Sequence, residues 1–326
     1  MNKEGTPALM SLINKSMARI TRRGTSASGP SVVSDLWSKF AEDRQAPGSA
    51  SWMFAPDHPR LRKRLYDAYL EGSDPFSWVR RRLPKVPAEY GLEIGCGGGN
   101  LAVAMVETGI CARLDAFDLA AGAIDVAREK AADKGIDTIN FYVADGNSIT
   151  LPRDRYDFIC ASHSLHHLEN LENLFEQVAG ALKPGGLFFA DDYIGPSRMQ
   201  YADEHIVLMN RLLLCLPEHK RRNRLADGAV KSRIDRVPIE TFLRIDPSEG
   251  VRAADIIPVM SRYFEVEIIP TGMSLMYEVL LGIIHNFDAE NPDDNAILDM
   301  VFLMEQLAME AKLIEPCFAS IVAHRK

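Results

Sequence analysis

The stretch Leu92-Glu-Ile-Gly-Cys-Gly-Gly-Gly-Asn-Leu101 decides how the rest of the 326-residue chain is read. A short apolar run ends in glycines and then turns polar and helical, which predicts a strand, a tight turn and the first residues of a helix. Without side chains at Gly95, Gly97 and Gly99 the backbone turns sharply and a ligand approaches the main chain. The helix start adds N–H donors that have no intrahelical partner. A nucleotide-like ligand is expected there. The spacing is Gly-x-Gly-x-Gly, and Asn100 stands where a dinucleotide fingerprint has its third glycine.

Outward from this turn, Leu114-Asp-Ala-Phe-Asp118 is a second apolar run closed by a carboxylate. An acid there accepts hydrogen bonds from ribose hydroxyls, which suits NAD and S-adenosylmethionine equally well. A third run, Ile139-Asn-Phe-Tyr-Val143, is followed by Ala144-Asp145-Gly146, where Asp145 is placed to accept from an adenine amino group and favours the second ligand. Strand signals near 90–95, 113–118, 139–144, 156–161 and 187–192 alternate with helix signals near 99–108, 121–134 and 170–182. The last helix is stopped by Lys183-Pro-Gly-Gly. Such alternation predicts an α/β doubly wound parallel sheet.

On these residues the chain resembles the class I S-adenosylmethionine-dependent methyltransferases. Leu92–Leu101 is similar to that family's first motif, Asp118 to its ribose acid, and Ala144-Asp145-Gly146 to the acidic turn beside its adenine. The run from Tyr156 through Ser162-His163-Ser164-Leu165-His166-His167-Leu168 and the Leu182-Lys-Pro-Gly-Gly turn are family-like too, so the likeness is continuous from about Glu89 to Tyr193. It implies a seven-stranded Rossmann-like sheet with an antiparallel last strand, and S-adenosyl-L-methionine as cofactor. The cofactor-contacting residues it implies are Glu93, Gly95, Cys96, Gly97, Gly99, Asp118, Leu119, Asp145, Gly146 and Ser162.

Methyl transfer is an in-line displacement, so a protein chiefly aligns the reacting atoms and excludes water. In this architecture the end of the fourth strand faces the reactive end of the cofactor. His163 is the base candidate, because imidazole takes a hydroxyl proton near neutral pH, and His167 is the second. Asp192 and Tyr193, closing the fifth strand, are expected to hold or deprotonate the acceptor, with capping of the following turn as the equal alternative for the carboxylate. His205 and His285 could reach the pocket but read as satisfied core or surface residues, and the methionines at 260, 273 and 276 as packing. The fourth-strand end lacks both the Asn/Asp-Pro-Pro-aromatic run of enzymes that methylate nucleic-acid amino groups and the acid of metal-dependent catechol-type enzymes. Cys160 is not part of a Pro-Cys pair. Five scattered cysteines have no metal-ligand spacing, so no metal is expected.

Composition sets the frame. With 47% hydrophobic residues the chain exceeds a minimal domain of this class, and a net charge of −8 argues against nucleic acid as partner. Residues 1–90 nevertheless carry 15 Lys+Arg against 9 Asp+Glu. No apolar run approaches the roughly 18 residues of a transmembrane helix, so a cytoplasmic, soluble protein is expected. Residues 1–30 read as a basic helix and linker. The helix is taken to dock on the body, with a membrane-surface, partner-binding or presequence role for residues 1–23 as the alternative. Residues 31–88 read as a helical lid whose Trp52, His58 and Tyr66 either line the cleft or only cement the lid to the body, and 89–195 as the cofactor-binding core. Residues 196–250 read as a helical cap and 251–326 as the rest of the core, with a second helical insertion at 273–313. The cap and tail motifs, Asp246-Pro-Ser-Glu and Ile284-His-Asn-Phe, look like those of bacterial methyltransferases of glycan or secondary-metabolite pathways. The expected acceptor is therefore a small or medium organic molecule methylated on oxygen, with methylation on carbon or nitrogen as the alternatives. An S-adenosylmethionine enzyme of another reaction, a non-catalytic binding partner and an NAD enzyme are the rivals.

Overall fold

The computed structural model describes residues 30–45 and 55–326. The N-terminal basic helix, its linker up to residue 29 and Trp52 lie outside the described residues. Seven strands form the main sheet: β1 (Ala88–Ile94), β2 (Cys111–Asp118), β3 (Ile139–Val143), β4 (Tyr156–Ser162), β5 (Leu182–Tyr193), β6 (Phe264–Gly272) and β7 (Phe318–Arg325). Their spatial order is β3-β2-β1-β4-β5-β7-β6. The first five run parallel, and β7 pairs antiparallel with both β5 and β6. The reversed strand therefore lies inside the sheet, and β6 at the edge runs with the first five.

The sheet is covered on both faces, and the pleat assigns each residue to one of them. Ile159 and Ala161 of β4 join a core with Leu92, Ile94, Phe188 and the helices α6 (Leu171–Ala181) and α9 (Ile256–Tyr263). Phe158 and Cys160 point the other way, into a core with Leu114, Ala116 and the helices α3 (Pro75–Arg80), α4 (Asn100–Glu107) and α5 (Ala121–Asp133). Ahead of these, α1 (Pro30–Gln45) and α2 (Pro59–Tyr69) precede the sheet.

The first insertion holds α7 (Asp203–Cys215), a two-residue-strand hairpin of 222–223 with 229–230, and α8 (Ile239–Ile245). The second holds α10 (Met276–Leu280) and α11 (Pro292–Glu310). These helices bury a third core together with α2, including Leu61, Leu65, Met209, Met276, Leu298 and Phe302. Asp299 of α11 receives the guanidinium groups of both Arg60 and Arg64, with Nε–Oδ1 distances of 2.8 and 2.9 Å, which ties α2 to the second insertion. Among the described residues no helix is long and apolar enough to cross a membrane.

Candidate active site

A cavity of about 840 Å³ opens at the carboxyl ends of β1, β2 and β4. Its floor is the turn after β1. Gly95, Gly97 and Gly99 all have positive φ, 69°, 50° and 72°. A Cβ on Gly99 would stand 2.7 Å from the Ala127 Cβ of α5, whereas one on Gly97 would meet nothing within 4 Å. Gly99 thus lets α5 pack closely, and Gly97 keeps the main chain open to a ligand. Lys130 of α5 locks the turn from outside, donating to Gly98 O and Asn100 Oδ1, both at 2.6 Å.

Asp118, closing β2, accepts from Gly97 N and Ala120 N, each at 2.8 Å. Burial raises its pKa, and those donors partly offset the rise. Asp145 after β3 accepts from the Asn147 backbone N–H (2.9 Å) and side-chain amide (3.0 Å). Glu93 is 2% exposed yet lines the cavity, and its Oε2 has no hydrogen-bond partner among the described residues. Burial first, and the Asp118 charge second, push its pKa well up. Cys96, Leu119, Gly146 and Ser162 also line the wall, so nine of the ten residues expected to contact the cofactor surround one space, and the tenth, Gly99, packs against α5 instead. The buried thiol of Cys96 is held far from ionisation by burial.

At the end of β4, His163 has a φ of 51°, an uncommon conformation for a residue with a side chain. Its backbone N–H donates to Asp191 O (2.9 Å), and the exposed residue lines the cavity, with its ring 6.0 Å from that of Phe318. His167 also lines the cavity, with Nδ1 2.9 Å from Ser248 Oγ. Burial and the neighbouring His166 lower its pKa, which keeps the ring neutral.

Asp192 and Tyr193 do not line this cavity. The Asp192 side chain, 0% exposed, accepts from Ser164 N (2.9 Å), Leu165 N (2.7 Å) and Tyr193 N (2.8 Å) and meets His166 Nδ1 at 2.5 Å. Tyr193, 1% exposed, donates its hydroxyl to Pro196 O (2.9 Å). Of the two roles expected for Asp192 the structure shows the cap, which shapes the turn that carries His163 and His167; for Tyr193, which is core, the acceptor-holding role is corrected. Burial alone would lower the His166 pKa, but the Asp192 carboxylate outweighs it and raises the pKa to about 9.

In the lid, His58 and Tyr66 take the second of the two expected roles and cement it to the body. His58 is fully buried and caps α2 by accepting from Arg60 N (3.1 Å), and Tyr66 packs against the cores, so neither lines the cavity. The covering residues are instead Val33, Trp37 and Ala41 of α1. That helix seats on the start of α5, with Ser34 Oγ donating to Leu119 O (3.2 Å) and Gly122 N donating to Ser38 Oγ (3.1 Å). Trp37 crosses the opening, donating Nε1 to Asp246 Oδ2 (3.1 Å) and standing edge-on to His167. Pro247 and Ser248 of the first insertion complete the roof. His205 is buried with Nε2 2.7 Å from Ser274 O, and the methionines at 260, 273 and 276 are core, as packing residues should be. The sequence reading missed Trp37, Lys130 and Ser248. Trp37 had a signal, a lone tryptophan on a short helix ahead of the sheet, but its partner lies 209 residues away.

A sheet of this order with a glycine turn after β1 and acids after β2 and β3 defines the class I nucleotide-binding methyltransferase fold. The family described as methyltransferase domain matches residues 92–190, and that part of the chain is such a domain. The uncharacterized methyltransferase YcgJ of Bacillus subtilis is 29% identical over 137 residues, which are 42% of this chain and 52% of that protein. The ubiquinone biosynthesis O-methyltransferase of Coxiella burnetii is 33% identical over 100 residues, 30% of this chain and 42% of the relative. The chain thus spans about half or less of the length of these relatives. In three dimensions, geranyl diphosphate C-methyltransferase from Streptomyces coelicolor, solved with Mg2+, geranyl diphosphate and S-adenosyl-L-homocysteine, superposes with a TM-score of 0.51. It is 12% identical and is covered over its whole length by 93% of this chain, a likeness of fold.

Proposed function

We propose that the protein is an S-adenosylmethionine-dependent methyltransferase acting on an oxygen of a small or medium organic acceptor, such as a glycan or secondary-metabolite intermediate. The observation that carries this is one cavity holding the open glycine turn, Asp118, Asp145 and the unpaired Glu93 oxygen at one end and His163 at the other. These residues fit the cofactor. Gly97 leaves space for it against the main chain, Asp118 and Asp145 retain acceptor lone pairs for ribose and adenine donors, and Glu93 Oε2 suits an ammonium group. The S-adenosyl-L-homocysteine in the geranyl diphosphate enzyme and the ubiquinone-pathway relative's O-methylation support the same reading.

When bound, S-adenosylmethionine supplies an electrophilic methyl on a sulfonium centre. The chain's own residues do the rest. Trp37, Pro247 and Ser248 roof the space and so restrict the access of water, the nucleophile of a competing hydrolysis. His163, displayed by its left-handed backbone, accepts the proton of an acceptor hydroxyl at an imidazole nitrogen. Neutral His167, fixed through Ser248, offers a polar wall for orienting that acceptor. A single-acceptor assay with His163→Ala tests the base. Turnover should fall about 10²-fold or more while cofactor affinity by calorimetry stays within about twofold. Unchanged turnover would remove His163 from that role. An absence of S-adenosylmethionine binding would sink the whole reading.

A further inference from the structure

The Asp246-Pro-Ser-Glu loop is not accounted for by cofactor binding. It descends on the His166-His167 pair, and Glu249 ends it as a carboxylate whose side chain is 10% exposed. No hydrogen bond to that carboxylate is found among the described residues. Its Oε1 stands 3.6 Å from His166 Nε2, too far for a hydrogen bond. Two ligands held 2.0–2.2 Å from a tetrahedral ion stand about 3.4 Å apart, so the pair sits near the spacing of co-ligands. One ring nitrogen of His166, one of His167 and one oxygen of Glu249 all lie within 4.8 Å of one another.

The surroundings are those of a metal's outer shell. A metal-ligating histidine nearly always gives its other nitrogen to a carboxylate or similar group. His166 Nδ1 is held by Asp192, which leaves Nε2 on the Glu249 side. His167 is held by Ser248 Oγ, and the Ser248 hydroxyl and N–H both donate to Asp246 Oδ1, at 2.5 and 2.9 Å. Two histidines, each oriented from behind, and a carboxylate make a nitrogen-rich set suited to zinc or cobalt rather than to magnesium or calcium.

We propose that His166, His167 and Glu249 bind one divalent transition-metal ion of the zinc type at the acceptor end of the cavity, clamping the Asp246–Glu249 loop onto the turn after β4. Three protein ligands leave a tetrahedral ion one open position. Of the three, His167 lines the cavity while His166 and Glu249 are buried behind its wall, so from the His167 side that position is offered to an oxygen of the acceptor. This last assignment, unlike the metal site itself, rests on the methyltransferase reading.

The test is titration of metal-stripped full chain with ZnCl2 by calorimetry and with CoCl2 by visible absorption, without S-adenosylmethionine. One equivalent should bind with micromolar or tighter affinity, and the cobalt form should show the intense d–d bands of a four-coordinate site. Glu249→Gln, nearly isosteric, should weaken binding at least tenfold and dim those bands, and His167→Asn should do the same. Circular dichroism confirms that both variants are folded. Binding weaker than millimolar, or binding untouched by both substitutions, overturns the site. In that case the His166 imidazolium simply bridges Asp192 and Glu249. Cofactor titration of the same protein is read separately, so loss of the metal site and loss of the methyltransferase reading are distinguishable.

Discussion

Alanine at Gly97 and at Gly99 should separate ligand binding from folding, although the two residues are neighbours in one turn. Both have left-handed backbone, φ 50° and 72°, so a side chain costs about 1–2 kcal/mol at either position. At Gly99 the new Cβ meets Ala127 Cβ at 2.7 Å, Ala127 Cα at 3.1 Å and the Phe141 ring at 3.1 Å. Two of those atoms belong to a helix that cannot yield locally, which adds about 1–3 kcal/mol of overpacking. Gly99→Ala should therefore lose about 2–5 kcal/mol of stability and Gly97→Ala only about 1–2. For the ligand the order reverses, because the Gly97 methyl projects into the open space over the turn. Cofactor affinity of Gly97→Ala should drop about 10- to 100-fold, with any loss at Gly99→Ala following from misfolding. Urea denaturation without ligand and calorimetric titration with S-adenosylmethionine measure the two effects. Equal stability losses, or Gly97→Ala binding the cofactor as the unsubstituted protein does, would refute the division of labour within the turn.

Asp118→Asn keeps one acceptor oxygen but turns an amide toward Gly97 N or Ala120 N, so it should cost about 1.5–3 kcal/mol in denaturant unfolding and also weaken cofactor binding; unaltered stability would show that neither contact matters. The Asp299 carboxyl is held below its usual range by hydrogen bonds from Arg64 and then Arg60. A pKa lower in the folded than in the unfolded state gives stability that is full above the unfolded value near 3.9 and is lost as pH falls through the folded one. With the two arginine side chains 36% and 42% exposed, Asp299→Asn should cost only about 1 kcal/mol at pH 6. The gap from the unsubstituted protein should close as unfolding is followed below pH 4, and a gap that does not vary with pH would contradict the linkage.

The central sheet was readable because parallel strands buried on both faces leave continuous apolar runs, and because glycines and acids at their ends are constrained by one ligand. Leu92–Leu101, Asp118 and Asp145 converge on one cavity as their positions in the chain imply. Asp192 was harder to read. A carboxylate at a strand end looks the same in sequence whether it faces a ligand or, as here, collects the N–H groups of the adjoining turn. The lid and cap were less legible still, since their contacts pair residues far apart in the chain. Trp37 meets Asp246, His166 meets Glu249, and Arg60 meets Asp299, none within one periodic segment. The insertion helices bury their apolar faces on each other and on α2, so no single helix pattern reveals which face the cavity will see.

The placement of β6 at the open margin of the sheet bears on how the molecule behaves in a crowded solution. A margin strand is a template on which another chain can hydrogen-bond and start a fibril. Here Glu265 and Glu267 are exposed along that margin, and Pro270 has no N–H to offer a newcomer. At the opposite margin β3 is only five residues long. Like charges and a missing donor at one side and a short ladder at the other disfavour sheet-to-sheet growth.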